Sequence, residues 1–276
     1  DDSADRPRAL LRALGLRPKK SLGQNFLMDR GAASRIAALA LEGCPAGTRV
    51  LEIGAGTGQL TSALLHTGAS VTAIEIDTDL VVVLRSRDAL ANATIGQADA
   101  LLYDYAAYAG GAAWVATGNL PYNIATPLLM RLIEMQGGPE RIVAMIQKDV
   151  AARLGAKPAT PAYGSLSVAV QYAMRVERAF TLPPRAFYPS PKVDSTVVRL
   201  TRRASPAAEV RSEARFMQVV RGAFAYRRKT LANSLSLALA IPRDSVSRAL
   251  QSLDIDTEIR GEQLGIADFA RLADAL

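Results

Sequence analysis

Three glycines at alternate positions, Gly54, Gly56 and Gly58, constrain the fold of this 276-residue chain more than any other feature of its sequence. They follow the short apolar run Arg49–Ile53 and precede a helical pattern over Gln59–Leu65. A strand-to-helix turn of this kind lets backbone amides approach a bound molecule, because glycine carries no side chain and accepts positive φ angles. The sequence therefore predicts a ligand cradle at the carboxyl end of a strand.

Two well-known phosphate-binding motifs do not fit this turn. The dinucleotide fingerprint G-x-G-x-x-G fails because Gln59 stands where its last glycine belongs, and no Lys-Ser or Lys-Thr pair follows, as a P-loop requires. The remaining pattern, an acid two residues before G-x-G-x-G, is typical of proteins that bind S-adenosylmethionine, which has no pyrophosphate. The alternative is a plain strand-to-helix turn without a ligand.

Apolar runs alternate with helical patterns as far as Tyr172, which predicts a mostly parallel sheet covered by helices on both faces. Two further runs joined by a proline-bearing loop predict an antiparallel pair at one edge. The fold class is therefore α/β, with a Rossmann-like sheet of about seven strands: Arg49–Ile53, Val71–Ile76, Ala93–Gly96, Trp114–Thr117, Arg141–Ile146, Met174–Phe180 and Lys192–Leu200. Predicted helices between them are Gln59–Leu65, Asp79–Leu90, Ala125–Met135, Lys148–Leu154 and Ser165–Tyr172.

Strand patterns stop beyond Thr201, and apolar residues then recur at helical spacing. The segment Thr201–Ala208, which contains Ser205 and Pro206, is the predicted linker. We predict a ligand-binding α/β domain over residues 1–203 and a small all-helical domain over residues 204–276. The predicted helices of the second domain are Arg211–Ala225, Lys229–Ala240, Asp244–Leu253 and Ile266–Leu276.

Two acids follow successive strands and strengthen the ligand prediction. Glu75 ends the second strand about 20 residues after Gly54, where a carboxylate in this architecture binds a ribose diol. Asp99 follows the third strand and is a candidate acceptor for an adenine amino group. Together with Gly54 they predict one crevice along the carboxyl ends of the strands. The alternative is that these acids cap the next helices, a role that Asp77 and Asp79 also suit.

The fourth strand is followed by Asn119, Leu120, Pro121 and Tyr122, a pattern that suits reaction at an amine. The exocyclic amine of a base is a poor nucleophile, because its lone pair is delocalised into the ring. The side-chain oxygen of Asn119 and the Leu120 carbonyl, freed from the ladder by Pro121, are candidate acceptors for both amine hydrogens. Tyr122 would stack on the base. The alternative is an ordinary Pro-Tyr turn.

A rigid proline-rich loop, Pro183–Pro191, carries a second aromatic candidate, Phe187. A base flipped out of its stack and held between two aromatic rings gains about 1 to 3 kcal/mol per stacking contact. We therefore predict that Phe187 faces Tyr122 across the target base. The alternative is that Phe187 closes the core of the domain.

Composition excludes several classes of protein. A single cysteine, Cys44, forms no intrachain disulfide, and a single histidine, His66, provides no zinc cluster, so no metal is predicted. No uncharged apolar stretch is long enough to span a bilayer, which predicts a soluble protein without a membrane partner. Residues 171–230 carry 13 Lys and Arg against 4 Asp and Glu, a local excess typical of phosphate binding. A merely solvated basic surface is the alternative.

With these residues identified, the chain resembles the ribosomal RNA adenine dimethyltransferases, and specifically those of the bacterial small subunit that are linked to kasugamycin resistance. The resemblance runs nearly end to end through motifs that occur in order: Lys20–Leu27, Val50–Gly58, Ile74–Asp77, Gly118–Asn123, Gln147–Val150, Tyr163–Leu166, Phe187–Val193 and Arg227–Leu231. One departure is Gly265, where relatives usually carry a Ser or Thr helix cap.

The resemblance implies a class I methyltransferase that uses S-adenosylmethionine and yields S-adenosylhomocysteine. The implied reaction adds two methyl groups to each of two adjacent adenosines near the 3′ end of 16S ribosomal RNA, within a partly assembled 30S particle. It also implies the catalytic or base-contacting residues Asn119, Leu120, Pro121, Tyr122 and Phe187. Implied cofactor contacts are Asn25, Leu27, Gly54, Gly56, Glu75, Asp99 and Asn119, of which Asn25 and Leu27 belong to an N-terminal segment that closes over the cofactor.

Three other functions remain as alternatives at this stage. The first is a macrolide-resistance methyltransferase, which acts on large-subunit RNA and lacks the basic run Arg227–Leu231. The second is a nucleic-acid-binding factor of the same descent, such as the mitochondrial transcription factors, against which the complete glycine turn argues. The third is a dinucleotide oxidoreductase, which Gln59 disfavours. We expect a monomer that works in the cytoplasm.

Overall fold

The structure is a computed structural model that describes residues 7–226 and 228–276. The chain divides into two compact units. The first comprises the chain up to Ala151 together with Glu177–Arg202, and the second comprises Ala152–Val176 together with Arg203–Leu276. The sequence-based domains, 1–203 and 204–276, are continuous, whereas the second unit also includes residues 152–176. Residues 152–176 group with the helical unit, because the apolar side chains of the helix within them pack into its core.

The first unit is built around a seven-stranded sheet, as the sequence predicts. Its order from one edge to the other is β4-β3-β2-β5-β6-β9-β7. A separate two-stranded sheet joins β1 to β8. The strands are β1 Phe26–Leu27, β2 Arg49–Ile53, β3 Ser70–Glu75, β4 Thr94–Gln97, β5 Val115–Asn119, β6 Arg141–Gln147, β7 Met174–Leu182, β8 Phe187–Tyr188 and β9 Ser195–Arg202.

Strands β2 to β6 run parallel, and β9 returns antiparallel to β6, with Ala144 opposite Val198. In the central strands β2, β5 and β6 every residue except those at an end is buried. Such unbroken burial requires cover on both faces, because successive side chains of a strand point to opposite sides. The α/β fold class is therefore confirmed, and the carboxyl ends of the parallel strands meet along one edge.

Helices lie between the strands of this unit: α1 Pro7–Ala13, α2 Arg30–Leu41, α3 Gln59–Leu65, α4 Thr78–Arg85, α5 Tyr105–Ala109, α6 Ala125–Glu134 and α7 Lys148–Leu154, the last of which extends into the second unit. Helices α2 and α3 share one hydrophobic cluster with Val50, Val115 and Val143 of the sheet. The predicted helix Asp79–Leu90 is shorter in the structure, because α4 ends at Arg85 and a separate 3₁₀ turn spans Asp88–Leu90.

The two-stranded sheet ties the N-terminal segment to the proline-rich loop. Phe26 pairs with Tyr188, and Leu27 pairs with Phe187, in antiparallel register. The Met28 amide adds a hydrogen bond of 2.8 Å to the Ala186 carbonyl. Chain segments about 160 positions apart in sequence are thereby joined beside the large sheet.

The second unit is helical, with α8 Ser165–Ala173, α9 Glu213–Ala225, α10 Leu231–Leu239, α11 Arg243–Ser252 and α12 Ile266–Ala275. Phe216 of α9 is fully buried and stacks on Tyr172 of α8 with ring centroids 4.4 Å apart. Gly265 is the N-cap of α12. Its amide donates to Asp268 Oδ2 at 3.1 Å, so a carboxylate satisfies the amide of the N-cap residue, while glycine offers no side chain to the amides of the first turn.

Candidate active site

One cavity lies at the carboxyl ends of β2, β3 and β5 and encloses about 1000 Å³, part of it open to solvent. The structure brings nearly all the sequence-predicted site residues to its wall. These are Asn25, Leu27, Gly54, Gly56, Glu75, Asp99, Asn119, Leu120, Pro121 and Tyr122. Strand geometry explains this convergence, because each of the last eight stands at or just beyond the end of a parallel strand.

The three glycines of the turn all have positive φ angles, but they serve different purposes. A Cβ on Gly54 would make one ordinary van der Waals contact, 3.8 Å from the Asn119 carbonyl oxygen. A Cβ on Gly56 would lie 3.0 Å from the Phe26 ring, and one on Gly58 would lie 2.6 Å from Leu90 Cδ1. Only Gly54 therefore leaves room toward the cavity, as the sequence analysis expects of all three. Gly56 and Gly58 make room for neighbouring side chains of the protein itself.

Glu75 is oriented by the backbone around it. Its Oε2 accepts from the Gly56 amide at 2.8 Å, and its Oε1 accepts from the Asp77 amide at 3.0 Å. Burial raises the pKa of this carboxyl, and the backbone hydrogen bonds partly oppose that effect. Glu75 does not cap helix α4, because that position belongs to Asp77, whose carboxylate accepts from the Asp79 amide. The carboxylate of Glu75 is thus fixed at the cavity wall with acceptor capacity for a ligand.

A second buried acid, Glu52, also lines the cavity, and the sequence analysis does not single it out as a site residue. It is 1% exposed, and its Oε2 atom has no hydrogen-bond partner among the described residues. Burial raises the pKa of the Glu52 carboxyl to about 8, a hydrogen bond from Thr61 opposes that rise, and the charge of Glu75 adds to it. With Asp99 the cavity has three carboxyl groups, and no Lys, Arg or His occurs among its described lining residues.

The segment Lys19–Leu27, which we call the roof segment, reaches the cavity from the N-terminal side. It is attached near three strand ends. Gly23 packs beside Pro121, the Asn25 carbonyl accepts from Asn119 Nδ2 at 2.7 Å, and Phe26 packs on Gly56. The resemblance implies the contacts of Asn25 and Leu27, and the structure places both residues at the cavity wall.

An ion-pair cluster holds the start of the roof segment. Lys19 Nζ lies 2.6 Å from Asp77 Oδ1 and 2.8 Å from Asp79 Oδ2, and Gln24 Nε2 donates to Asp77 Oδ2 at 2.7 Å. Burial alone would raise the pKa of Asp77, but the hydrogen bonds from Lys19 and Gln24 outweigh it and lower the pKa. The sequence gives no signal for this cluster, because 58 positions separate Lys19 from Asp77.

The residues after β5 present two candidate hydrogen-bond acceptors, from Asn119 and Leu120, at the cavity wall. Because Asn119 Nδ2 is occupied by Asn25, the side-chain oxygen of Asn119 remains as an acceptor. The Leu120 amide donates to the Met145 carbonyl at 3.0 Å. No described residue donates to the Leu120 carbonyl. The Tyr122 hydroxyl lies 3.0 Å from Ser195 Oγ, which fixes the ring from the antiparallel strand β9.

Phe187 is not among the residues that line the cavity. Its side chain is 3% exposed and packs in the cluster formed by α2, α3 and the sheet. In this structure Phe187 therefore closes the core of the domain, which is the alternative to base stacking given above. Its pairing with Leu27 nevertheless connects it to the roof segment. The stacking role of Phe187 stays a prediction.

The described residues show neither a candidate metal site nor a membrane-spanning helix. No group of three or more His, Cys, Asp and Glu side chains there is placed to hold a metal ion. No helix in residues 7–226 or 228–276 is long and apolar enough to cross a membrane.

Comparison with known proteins identifies the family. The family described as "Ribosomal RNA adenine dimethylase" matches residues 15–276. The chain belongs to this family. A relative from Magnetococcus marinus, named "Ribosomal RNA small subunit methyltransferase A", is 45% identical over 272 residues, which are 97% of this chain and 95% of the relative. This member of the ribosomal RNA adenine dimethylase family is accordingly an RNA-modifying methyltransferase.

Two solved structures resemble this ribosomal RNA adenine dimethylase family member over most of its length. A dimethyladenosine transferase from Plasmodium falciparum has a TM-score of 0.71 and 26% identity, with 90% of this chain and 95% of that chain covered. The 23S rRNA methyltransferase ErmE has a TM-score of 0.67 and 29% identity, with coverages of 91% and 99%. The family resemblance stated from the sequence motifs is thus confirmed.

Proposed function

We propose that this protein transfers methyl groups from S-adenosylmethionine to the 6-amino nitrogens of two adjacent adenosines near the 3′ end of small-subunit ribosomal RNA. The observation that carries the proposal is that one cavity is lined both by the Glu75 carboxylate, which backbone amides hold in place, and by the candidate acceptors of Asn119 and Leu120. The name of the Magnetococcus marinus relative, which covers nearly the whole chain, supports a small-subunit target. A cytoplasmic location follows from such a target.

The residues present fit S-adenosylmethionine. A fixed carboxylate at Glu75 suits a ribose diol, and Asp99 suits an adenine amino group. Three carboxyl groups without a lining cation suit a ligand with a positive sulfur, whereas they would repel a pyrophosphate. Only the Asn119 carbonyl oxygen lies near the position of a Cβ on Gly54, so the backbone there is not crowded and leaves room for a ligand. When bound, S-adenosylmethionine supplies an electrophilic methyl group on a sulfonium.

The chain's own contribution to the chemistry is orientation of the amine. The Asn119 oxygen and the Leu120 carbonyl would accept the two amine hydrogens and draw the nitrogen toward tetrahedral geometry, which localises its lone pair. Tyr122, fixed by Ser195, would support the base by stacking. Orientation of this kind contributes up to about 7 to 11 kcal/mol to lowering the barrier when the reacting atoms are held near contact.

Basic residues on exposed surface support an RNA partner. The exposed cations include Arg211, Arg228 and Lys229 of the helical unit, and Arg175 and Arg178 of β7. Arg227 of the basic motif lies outside the described residues. These cations would neutralise phosphates of ribosomal RNA, with a salt-dependent affinity. A partly assembled 30S particle is the proposed substrate, acted on by a monomer.

The second candidate is a large-subunit target, which the structural likeness to the 23S rRNA methyltransferase ErmE favours. Mass mapping of methylated adenosines, after incubation with labelled S-adenosylmethionine and unmodified 30S or 50S subunits, separates the two. Dimethylated adenosines confined to 16S RNA support the proposal, and label confined to 23S RNA rejects it.

Catalysis is tested with Asn119→Ala and a matched control, Asn92→Ala, which removes an exposed asparagine away from the cavity. We expect Asn119→Ala to lower methylation at least about 100-fold, as loss of one acceptor in an oriented site does. Its affinity for S-adenosylmethionine should stay within about tenfold, because one hydrogen bond to the roof segment is lost. Full turnover by Asn119→Ala would reject the acceptor role.

A further inference from the structure

The ionisable side chains that line the cavity are all acidic, and Glu52 is the most deeply buried of them. Glu52, Glu75 and Asp99 line it without a described lysine, arginine or histidine. Glu75 is stabilised by two backbone amides and Asp99 by the Leu101 amide at 2.8 Å. Glu52 has no comparable support, because its Oε2 atom is buried without a hydrogen-bond partner among the described residues.

Among the groups around Glu52, only Thr61 favours its charged form, through hydrogen bonds whose effect burial outweighs. On the side of β3 the Glu75 carboxyl repels a second negative charge. On the side of α3 stands Thr61, an uncharged hydroxyl that is itself fully buried. A carboxylate in such surroundings is costly, and a carboxyl group there keeps its proton unless a positive charge arrives.

We infer that Glu52 is protonated in the free protein and releases its proton when the sulfonium-bearing ligand enters the cavity. The inference rests on the proposed function, which supplies the cation. The O–H bond of the Glu52 carboxyl breaks, the proton passes to the solvent buffer, and the carboxylate that remains offsets the positive charge of the ligand. No oxidant or second reactant is needed.

This linkage makes affinity depend on pH in a defined direction. Ligand binding favours the ionised carboxyl, so reciprocity requires that deprotonation favours ligand binding. With the pKa of Glu52 raised to about 8, about 0.9 proton should be released per ligand bound at pH 7. The affinity contributed by Glu52 should rise about tenfold from pH 6 to pH 7 and level off above pH 8.

The test is isothermal titration calorimetry of S-adenosylmethionine into the full-length protein, in two buffers that differ in ionisation enthalpy. Glu52→Gln is the variant, since glutamine has nearly the shape of the protonated acid. The α-amino group of the ligand itself titrates near pH 8, so the proton release assigned to Glu52 is the wild-type value minus the variant value. The neutral nucleoside 5′-methylthioadenosine serves as the uncharged ligand.

We expect a buffer-dependent enthalpy for wild type with S-adenosylmethionine, and none beyond the ligand's own contribution for Glu52→Gln or for the neutral nucleoside. Equal proton release by wild type and variant, or equal release with both ligands, would overturn the inference. Binding without release would also overturn it and leave the proposed function intact, whereas no binding at all would remove the proposed function itself. If Glu52→Gln does not fold, infrared difference spectra of wild type must still show loss of a protonated carboxyl band on binding.

Discussion

Replacing Gly58 with alanine should destabilise the protein by about 2 to 5 kcal/mol without touching the ligand cavity. Gly58 has φ +81°, a conformation that costs a residue with a Cβ about 1 to 2 kcal/mol. The new methyl group would also lie 2.6 Å from Leu90 Cδ1 and 2.9 Å from Leu84 Cδ2. Both leucines are buried in one cluster, so overpacking adds about 1 to 3 kcal/mol.

Gly54→Ala is the matched comparison, because its φ of +77° is nearly the same. Its new Cβ would meet only the Asn119 carbonyl oxygen, at 3.8 Å, so the cost is the backbone term of about 1 to 2 kcal/mol. The methyl group would instead occupy space at the cavity wall. We therefore expect Gly54→Ala to fold and to bind S-adenosylmethionine more weakly than wild type.

The assay pairs thermal unfolding with calorimetric binding for wild type and both variants. In a unit of this size a loss of 1 kcal/mol lowers the melting temperature by about 2 to 4 °C, so Gly58→Ala should melt clearly below Gly54→Ala. Binding should be preserved in folded Gly58→Ala and weakened in Gly54→Ala. The opposite pattern, a stable Gly58→Ala that has lost binding, would refute the separate functions assigned to the two glycines.

Three further outcomes follow from the site. Glu52→Gln should gain stability relative to wild type as pH rises from about 4.5 to 8, by at most about 1.4 kcal/mol per pH unit, because the raised pKa of Glu52 makes the wild type lose stability in that window. Urea unfolding at pH 5 and pH 8 measures this, and a difference in unfolding free energy that is the same at both pH values contradicts it. Ser195→Ala should raise the KM for 30S particles about 2- to 10-fold by freeing Tyr122, with S-adenosylmethionine affinity unchanged in calorimetry. Lys19→Met should speed dissociation of S-adenosylmethionine about two- to fivefold in stopped-flow measurements and remove its salt dependence, since the pair with Asp77 is lost.

Most of the sheet could be predicted from the sequence because its signals are local. Helices Gln59–Leu65 and Lys148–Leu154 have the predicted bounds, and each strand of the large sheet falls within a few residues of its apolar run. The strand ends then placed Glu75 and Asn119 at one edge without further information. A long run with one hydrophobic period predicts a helix or a strand by itself, and the parallel topology then brings the carboxyl ends of the strands to one edge.

The parts that escaped prediction depend on contacts between distant segments. Strands β1 and β8 are two residues each, too short to show a period, and they exist only because they pair with each other. The Lys19 cluster and the buried position of Phe187 are likewise set by neighbours far along the chain. The short helix α5 and the membership of residues 152–176 in the helical unit depend on tertiary packing in the same way.

The attachments of the roof segment set a condition on repeated turnover. Lys19 at its start pairs with Asp77, and near its other end the Asn25 carbonyl accepts from Asn119 while Phe26 pairs with Tyr188. Dimethylation of one adenosine consumes two donor molecules in succession. The product of the first transfer is exchanged for a second donor beside these attachments, so we expect variants that weaken them to change the rate of the second methylation more than that of the first.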